Sequence, residues 1–141
     1  MAPLGNLLTN KFKGMSIKFK VIEKGRPGVV GGGVKKYYAL TQLSGEQSLD
    51  DLIDEIEKKS SLRSLVIRWA IYALVDVMRD RLADGKIVRL GELGSLRVNI
   101  SSNAKEKAAE VKASSIKGAR VVFTPGKDLK KMLRTLTYEK V

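Results

Sequence analysis

The sequence predicts an α+β fold, in which a two-helix body is followed by an antiparallel sheet with a basic arm and a short C-terminal helix. Three observations lead to this prediction. Apolar residues recur at helical spacing between positions 48 and 84, apolar and polar residues alternate in the flanking segments, and basic residues concentrate outside the helices. With 141 residues, 43% of them hydrophobic, the chain can form one such domain with a small appendage.

The first 45 residues are predicted to lie outside the main domain. Because the first patterned segment begins at Met15, we interpret residues 1–14 as a disordered extension, the alternative being a misplaced start. Apolar and basic residues alternate over Ile17–Val21, which predicts a half-exposed strand. The run "GRPGVVGGGV" predicts a loop, and Tyr37–Thr41 predicts a second strand. Residues 15–45 are therefore expected to form a strand or hairpin extension.

The first helix is predicted to start after Ser48, whose hydroxyl can cap it together with Asp51 in a capping-box arrangement. Lys58 and Lys59 suit the negative end of the helix dipole. The apolar stripe of this helix consists of Leu49, Leu52, Ile53 and Ile56.

The second helix, over residues 62–84, carries apolar residues on nearly every side, since only Arg68 and Asp76 are clearly polar between Leu65 and Met78. Such a helix must be covered on nearly every side. A second copy of the chain could cover it, and burying about 500 Å² contributes on the order of 10 kcal/mol before entropy losses. The alternative is the central helix of a compact monomer. Gly85 is expected to end the helix.

Three strands are predicted to follow, at Ile87–Leu90, Ser95–Ile100 and Val121–Phe123. Residues 91–94 would connect the first two strands, and the polar, basic residues 101–118 would connect the last two. Pro125 and Gly126 precede a final helix. Its apolar face is predicted to contain Leu129, Met132, Leu133 and Leu136. Its basic side chains are Lys127, Lys130, Lys131 and Arg134.

Charge and composition favour a polyanion as the partner. The net charge is +12, distributed as +6 over residues 1–47, −2 over 48–84 and +8 over 85–141. The chain has neither histidine nor cysteine, so we expect no catalytic residues, no cofactor and no small-molecule substrate. No apolar run is long enough to cross a membrane, and the start lacks a signal-peptide core, so we expect a cytoplasmic location.

Two local motifs could in principle bind phosphate or metal. Gly28 and Gly33 have the spacing of a phosphate-binding loop, but Val34 occupies the position that requires lysine. The acidic run over residues 50–57 lacks the alternating ligands and glycine of a calcium loop. We therefore predict a hairpin loop and a helix start at these positions, and no metal site.

The basic residues of the last third of the chain, with one asparagine, are the candidate DNA-binding set. Cationic side chains drawn from strands, a connection and a helix can neutralise phosphates along a nucleic-acid backbone. Little in the set could read base edges, so we expect low sequence specificity. The set consists of Arg89, Arg97, Asn99, Lys105, Lys107, Lys112, Lys117, Arg120, Lys127, Lys130 and Lys131.

Residues 46–138 resemble the DNA-binding domain of the HU and integration host factor family. Residues 88–96, "VRLGELGSL", are similar to the family's "V-x-L-x-G-x-G-x-F" strand turn, and "VVFTPGKDLKKML" to its closing "F-x-x-G-K-x-L-K". The basic segment between them stands in the place of the family's DNA-clasping arm. Residues 15–41, which end in "KKYYAL", resemble the extra N-terminal part of a divergent HU-like subgroup.

The resemblance implies an intertwined homodimer whose arms reach around the minor groove of double-stranded DNA and bend it. It implies a structural turn at Gly91 and Gly94, and phosphate contacts by Lys127 and Lys130. The residues expected in the dimer core are Leu65, Trp69, Tyr72, Ala73, Leu74, Met78, Leu93, Leu96 and Phe123.

The predicted arm departs from the family pattern, because residues 101–118 contain no proline that could wedge between base pairs. We therefore expect phosphate-dominated binding with gentle bending. The alternative function is an HU-derived dimeric scaffold for protein interaction, in which the strand around Tyr37 and Tyr38 offers an edge to a partner. A third hypothesis is RNA binding, and the lack of an aromatic platform on which bases could stack argues against it.

Overall fold

A computed structural model describes residues 15–141, so the predicted disorder of residues 1–14 lies outside the described residues. The chain forms two compact units, one from residues up to Glu46 together with Arg134–Val141, and one from Gln47–Leu133. The helices and strands, in chain order, are β1 (Ile17–Lys24), β2 (Lys36–Gln42), α1 (Leu49–Lys59), α2 (Ser64–Ala83), β3 (Val88–Arg89), β4 (Gly94–Ser102), β5 (Ile116–Pro125), α3 (Lys127–Arg134) and β6 (Tyr138–Lys140).

The N-terminal unit is a three-stranded sheet in the order β2–β1–β6. The predicted pair of strands is confirmed as an antiparallel hairpin, and its glycine-rich loop contains a short 3-10 turn at Val30–Gly32. Strand β6 pairs in parallel with β1, and Ile17 donates a backbone hydrogen bond to Thr137. The sequence analysis included residues 134–138 in the HU-like domain, but in the structure they belong to the N-terminal unit.

The second unit begins with α1, whose start is fixed by the predicted capping box. The Asp51 backbone N–H donates to Ser48 Oγ at 3.1 Å, and the Ser48 backbone N–H donates to the Asp51 carboxylate at 2.9 Å. These bonds satisfy two of the donors that a helix start leaves unpaired. They favour the ionised carboxylate, so the pKa of Asp51 is lowered, chiefly by the backbone hydrogen bond and then by the serine hydroxyl.

The helices α1 and α2 pack against each other, and Arg68 of α2 forms an ion pair with Asp50 of α1. In the described chain, Ile53 and Ile67 are the only fully buried hydrophobic side chains, at 1% and 5% exposure. Helix α2 ends as predicted at Gly85, which has φ +77°, while the Lys86 N–H donates to the Arg81 carbonyl at 3.1 Å.

The remaining strands form an antiparallel sheet in the order β3–β4–β5, and β3 and β4 neighbour α2. All three predicted strands are present, and β4 and β5 extend further than the sequence pattern indicated. One prediction for the last helix was wrong. Helix α3 ends at Arg134, so Leu136 is not on its apolar face, and Leu136 instead lines a shallow groove with Met15 and Ile17 in the N-terminal unit.

Candidate nucleic-acid interface

The sheet β3–β4–β5 has one apolar face and one polar, basic face, and its strand register determines both. Residues directly opposite each other in an antiparallel ladder share a face, and the face alternates along each strand. The apolar face comprises Val88, Leu96, Val98, Ile100, Val121 and Phe123. The opposite face, which we call the arginine face, carries Arg89, Arg97, Asn99 and Arg120, with Ser95, Val122 and Thr124 between them.

The arginine face is open to solvent. Its three guanidinium groups belong to exposed residues, whereas Asn99 is half-buried beside Arg120, its partner across the ladder. Within residues 15–141 none of these arginines forms an ion pair with a carboxylate. A guanidinium presents a planar set of donors that matches a phosphate group. The arginine face can therefore receive phosphates without first breaking an internal salt bridge.

The turn between β3 and β4 is held by glycines. Gly91 and Gly94 have φ values of +59° and +145°, which residues with side chains rarely adopt. A Cβ on Gly94 would lie 2.8 Å from Phe123 Cε2. Gly126, which the sequence placed only at the start of the last helix, packs equally closely, because a Cβ there would lie 2.7 Å from the Glu92 carbonyl carbon. The turn is thereby fastened to the end of β5, where α3 starts.

The connection between β4 and β5 is compact. It contains 3-10 turns at Ala108–Glu110 and Ala113–Ser115, and Ser115 is 4% exposed. The Lys112 N–H donates to Ser115 Oγ at 3.1 Å, and the Asn103 N–H donates to the Ser115 carbonyl at 2.8 Å. The serine thus joins both ends of the connection, a role that sequence reasoning did not detect. Exposed lysines lie on and beside this connection at Lys105, Lys107, Lys112 and Lys117.

Helix α3 adds a further group of cations. Lys127, Lys130 and Lys131 have i, i+3 and i+4 spacing, so they share one side of the helix, and all three are exposed. Leu129 and Met132 are half-buried. The helix begins directly after Gly126, where the Lys130 N–H donates to the Gly126 carbonyl at 3.0 Å. The close contacts of Gly94 and Gly126 at the β3–β4 turn therefore hold the start of α3 beside the sheet that carries the arginine face.

The residues predicted for a dimer core are not buried in the single chain. On α2, Trp69 is 63% exposed and Tyr72 is 54% exposed, and Phe123 at the apolar face of the sheet is 46% exposed. Leu65, Ala73, Leu74 and Leu93 are also exposed, while Met78 and Leu96 are half-buried. Large aromatic side chains gain most from burial, so this surface is costly to leave in water.

The part of the chain that the structure describes contains no cluster of three or more residues suited to hold a metal ion. Among the same residues, no helix is both long and apolar enough to span a membrane.

A helix pair, an antiparallel sheet with a basic face and a short helix after the last strand together define an HU-like domain. The chain belongs to the HU-HIG family, described as an HU domain fused to a wHTH, Ig or glycine-rich motif, whose family model matches residues 15–140. The resemblance found in the sequence is thereby confirmed. No curated protein matches the chain significantly.

A solved structure with a similar fold is that of a candidate bacterial DNA-binding protein from Bacteroides vulgatus ATCC 8482. It aligns with a TM-score of 0.66 and 15% sequence identity over 89% of this chain. The aligned region is 48% of that protein, so this chain spans about half of its length. At this identity the likeness shows the shared fold.

Proposed function

We propose that this protein is a low-specificity, nucleoid-associated architectural protein that binds double-stranded DNA as a homodimer, mainly through phosphate contacts. The observation that carries the proposal is the arginine face, where three exposed guanidinium groups share one side of a sheet and have no carboxylate partners within the described residues. The HU-like fold supports it, as does the description of the similar Bacteroides vulgatus protein as a candidate DNA-binding protein.

The dimer is proposed from the exposure of α2. A pair of subunits that buried Trp69, Tyr72 and Phe123 against each other would remove the largest apolar side chains of this unit from water. Such a dimer would also present two arginine faces and two β4–β5 connections to one duplex. We propose that the two subunits intertwine, as the family resemblance implies.

Gentle bending of the duplex is proposed from the β4–β5 connection. Residues 101–118 contain no proline, and the connection forms two 3-10 turns around Ser115. Wedge residues that unstack base pairs are apolar. Here the exposed side chains near the two turns include Lys105, Lys107 and Lys112. Val111 between the turns is also exposed, but valine is not among the residue types known to wedge between base pairs. Phosphate contacts are therefore the interaction that this segment favours.

The proposal is tested by measuring binding to a random-sequence duplex between 50 and 300 mM salt. We expect affinity to fall steeply as salt rises, because each neutralised phosphate releases counterions. Replacing Lys127, Lys130 and Lys131 with alanine should make the salt dependence shallower by about 2 to 3 in the log–log slope. Absence of binding at the lowest salt would remove the proposed function, and an unchanged slope would exclude these lysines from it.

A second candidate function is a dimeric scaffold for protein interaction. Strand β2 lies at the edge of its sheet, and all seven of its residues are exposed, including Tyr37 and Tyr38. An open edge of this length can accept a strand from a partner. Binding of the chain to a partner peptide together with no affinity for DNA at low salt would favour this alternative.

A further inference from the structure

The N-terminal sheet also concentrates its cations on one face. In the β1–β2 register, Lys20 lies opposite Leu40, and Lys24 lies opposite Lys36. The face that contains Lys18, Lys20, Lys24 and Lys36, which we call the lysine face, also carries Ile22, Tyr38, Leu40 and Gln42. All four lysines are exposed. The only carboxylate in register with this face among the described residues is Glu139 of β6, opposite Lys18.

The charges on the lysine face are unfavourable for the stability of the sheet that carries them. Like charges directly opposite each other on neighbouring strands are destabilising, and Lys24 and Lys36 form such a pair. Over residues 15–141 none of the four lysines forms an ion pair, whereas the neighbouring Lys35 contacts Glu23 at 3.8 Å. An external anion would relieve the repulsion between Lys24 and Lys36.

The spacing of these lysines suits a regularly charged polymer. Alternate residues of a strand are about 7 Å apart, so Lys18 and Lys24 are separated by about 20 Å. Phosphates of one DNA strand follow each other at about 3.4 Å along the duplex axis. Lys18 and Lys20 are about twice that interval apart, and Lys24 lies about 13 Å beyond Lys20 because Ile22 occupies the position between them. These ammonium groups can therefore contact separate phosphates along one edge of a groove.

We propose that the lysine face is a second site for the phosphate backbone of duplex DNA, separate from the arginine face. This inference rests on the proposed function, which supplies the ligand. Two sites in one chain raise the effective concentration of each for the same duplex. An anionic lipid surface is the competing occupant, and DNA is favoured because the other unit of the chain carries a basic face suited to the same ligand.

The test uses the full chain and a 30-base-pair random duplex, with binding measured from 50 to 300 mM salt. The first variant carries Lys18→Gln, Lys20→Gln and Lys24→Gln. The matched control carries Lys58→Gln, Lys59→Gln and Lys86→Gln, which remove the same charge from the end of α1 and from the segment after α2. A third variant replaces Lys18, Lys20 and Lys24 with arginine, which keeps the charge. Circular dichroism establishes that each variant is folded.

We expect the lysine-face variant to bind about 100-fold more weakly at 100 mM salt, with a log–log salt slope shallower by about 2 to 3. The control should change much less, and the arginine variant should bind like the original chain. Equal behaviour of the lysine-face variant and the control would overturn this inference and leave the proposed function intact. Absence of binding by the original chain at 50 mM salt would remove both.

Vesicles of phosphatidylserine and phosphatidylcholine address the competing occupant. We expect the lysine-face variant and the control to bind these vesicles equally weakly. If the substitutions abolished vesicle binding and left DNA binding unchanged, the lysine face would be a membrane site and the proposal would be wrong.

Discussion

The sheet β3–β4–β5 and the sheet β2–β1–β6 each have three strands, and each collects basic side chains on one face. They differ in the cation that they use. The arginine face presents guanidinium groups on a sheet that neighbours α2, whereas the lysine face presents ammonium groups on a sheet within a unit that has no α-helix among its described residues. Arginine binds phosphate with a planar, directional set of donors, and lysine acts as a point charge.

If both faces bind DNA as we propose, this difference predicts two kinds of contact with the phosphate backbone. The HU-like unit presents guanidinium groups on a sheet that is fixed by closely packed glycines and has an apolar opposite face. It can therefore hold a phosphate in a defined geometry. The N-terminal sheet offers charge on a lightly packed surface, so it can follow a backbone without fixing its register. Three sets of variants compare the two units, and a fourth tests the start of α1.

The largest expected effect concerns the exposed aromatic residues of α2. The double variant Trp69→Glu and Tyr72→Glu should raise the dimer dissociation constant more than about a thousandfold, because truncating a central interface aromatic often costs about 2 kcal/mol or more. Analytical ultracentrifugation at micromolar concentration measures the change. The matched control is Tyr37→Glu and Tyr138→Glu in the N-terminal sheet, at residues that are 71% and 65% exposed.

The control should leave the dimer intact. If both double variants dissociated the dimer equally, the contact between subunits would not be specific to α2. If the original chain were a stable monomer at micromolar concentration, the proposed dimer would be wrong.

The next effect concerns the glycines of the two units. Gly94→Ala should lower the free energy of unfolding by about 2 to 4 kcal/mol, because it combines an unfavourable φ with overpacking against Phe123. Gly31→Ala should cost about 1 kcal/mol, since Gly31 has φ +76° but a methyl group added there would meet no atom within 4 Å. Urea denaturation measures both. A loss at Gly31 as large as that at Gly94 would contradict the tighter packing of the HU-like turn.

A smaller effect should distinguish the arginine face from the lysine face. The double variant Arg97→Lys and Arg120→Lys keeps the charge but loses the guanidinium fork, and we expect about tenfold weaker DNA binding. Arginine substitutions at the lysine face should have no comparable effect. Fluorescence anisotropy with a labelled duplex measures both variants under the same salt conditions. Unchanged affinity in the Arg→Lys variant would show that the guanidinium geometry of the arginine face does not contribute to binding.

The smallest effect is expected at the start of α1. Ser48→Ala should cost about 1 kcal/mol of stability, because the Asp51 N–H loses its acceptor. Folding lowers the pKa of Asp51, so the capping box contributes stability above the unfolded-state pKa of about 3.9 and loses it as the pH falls through the folded-state pKa. Thermal unfolding at pH 7 and at pH 3 should therefore show a smaller penalty for Ser48→Ala in acid. An equal penalty at both pH values would contradict this role of Asp51.

The sequence predicted the features that depend on local patterns. The capping box at Ser48, the nearly all-apolar α2 and its end at Gly85 follow from side-chain periodicity and backbone preference, and the structure has each of them. The candidate DNA-binding residues followed mainly from charge, and the family resemblance added a role for Lys127 and Lys130. Charge does not determine which side of a strand a residue occupies. Only the strand register of the structure shows which of these residues share a sheet face and which lie on the connection or on α3.

Features that depend on distant partners could not be predicted. Strand β6 has three residues, and its pairing with β1 joins positions more than 100 residues apart. The sequence placed Gly126 before the last helix but did not indicate its close approach to Glu92, which exists only after β5 has paired. Leu136 continued the helical spacing of α3, but the helix ends before it.

The parallel pairing of β6 with β1 has a consequence for the order of events during synthesis. As the chain leaves the ribosome, the β1–β2 hairpin emerges early. The edge of β1 that later pairs with β6 then stays unpaired while the whole HU-like unit is translated. Ile17 finds its backbone partner Thr137 only when the last described residues arrive. The N-terminal sheet therefore cannot be completed until the end of the described chain has been made, and until then the unpaired edge of β1 can pair with a strand of another nascent chain.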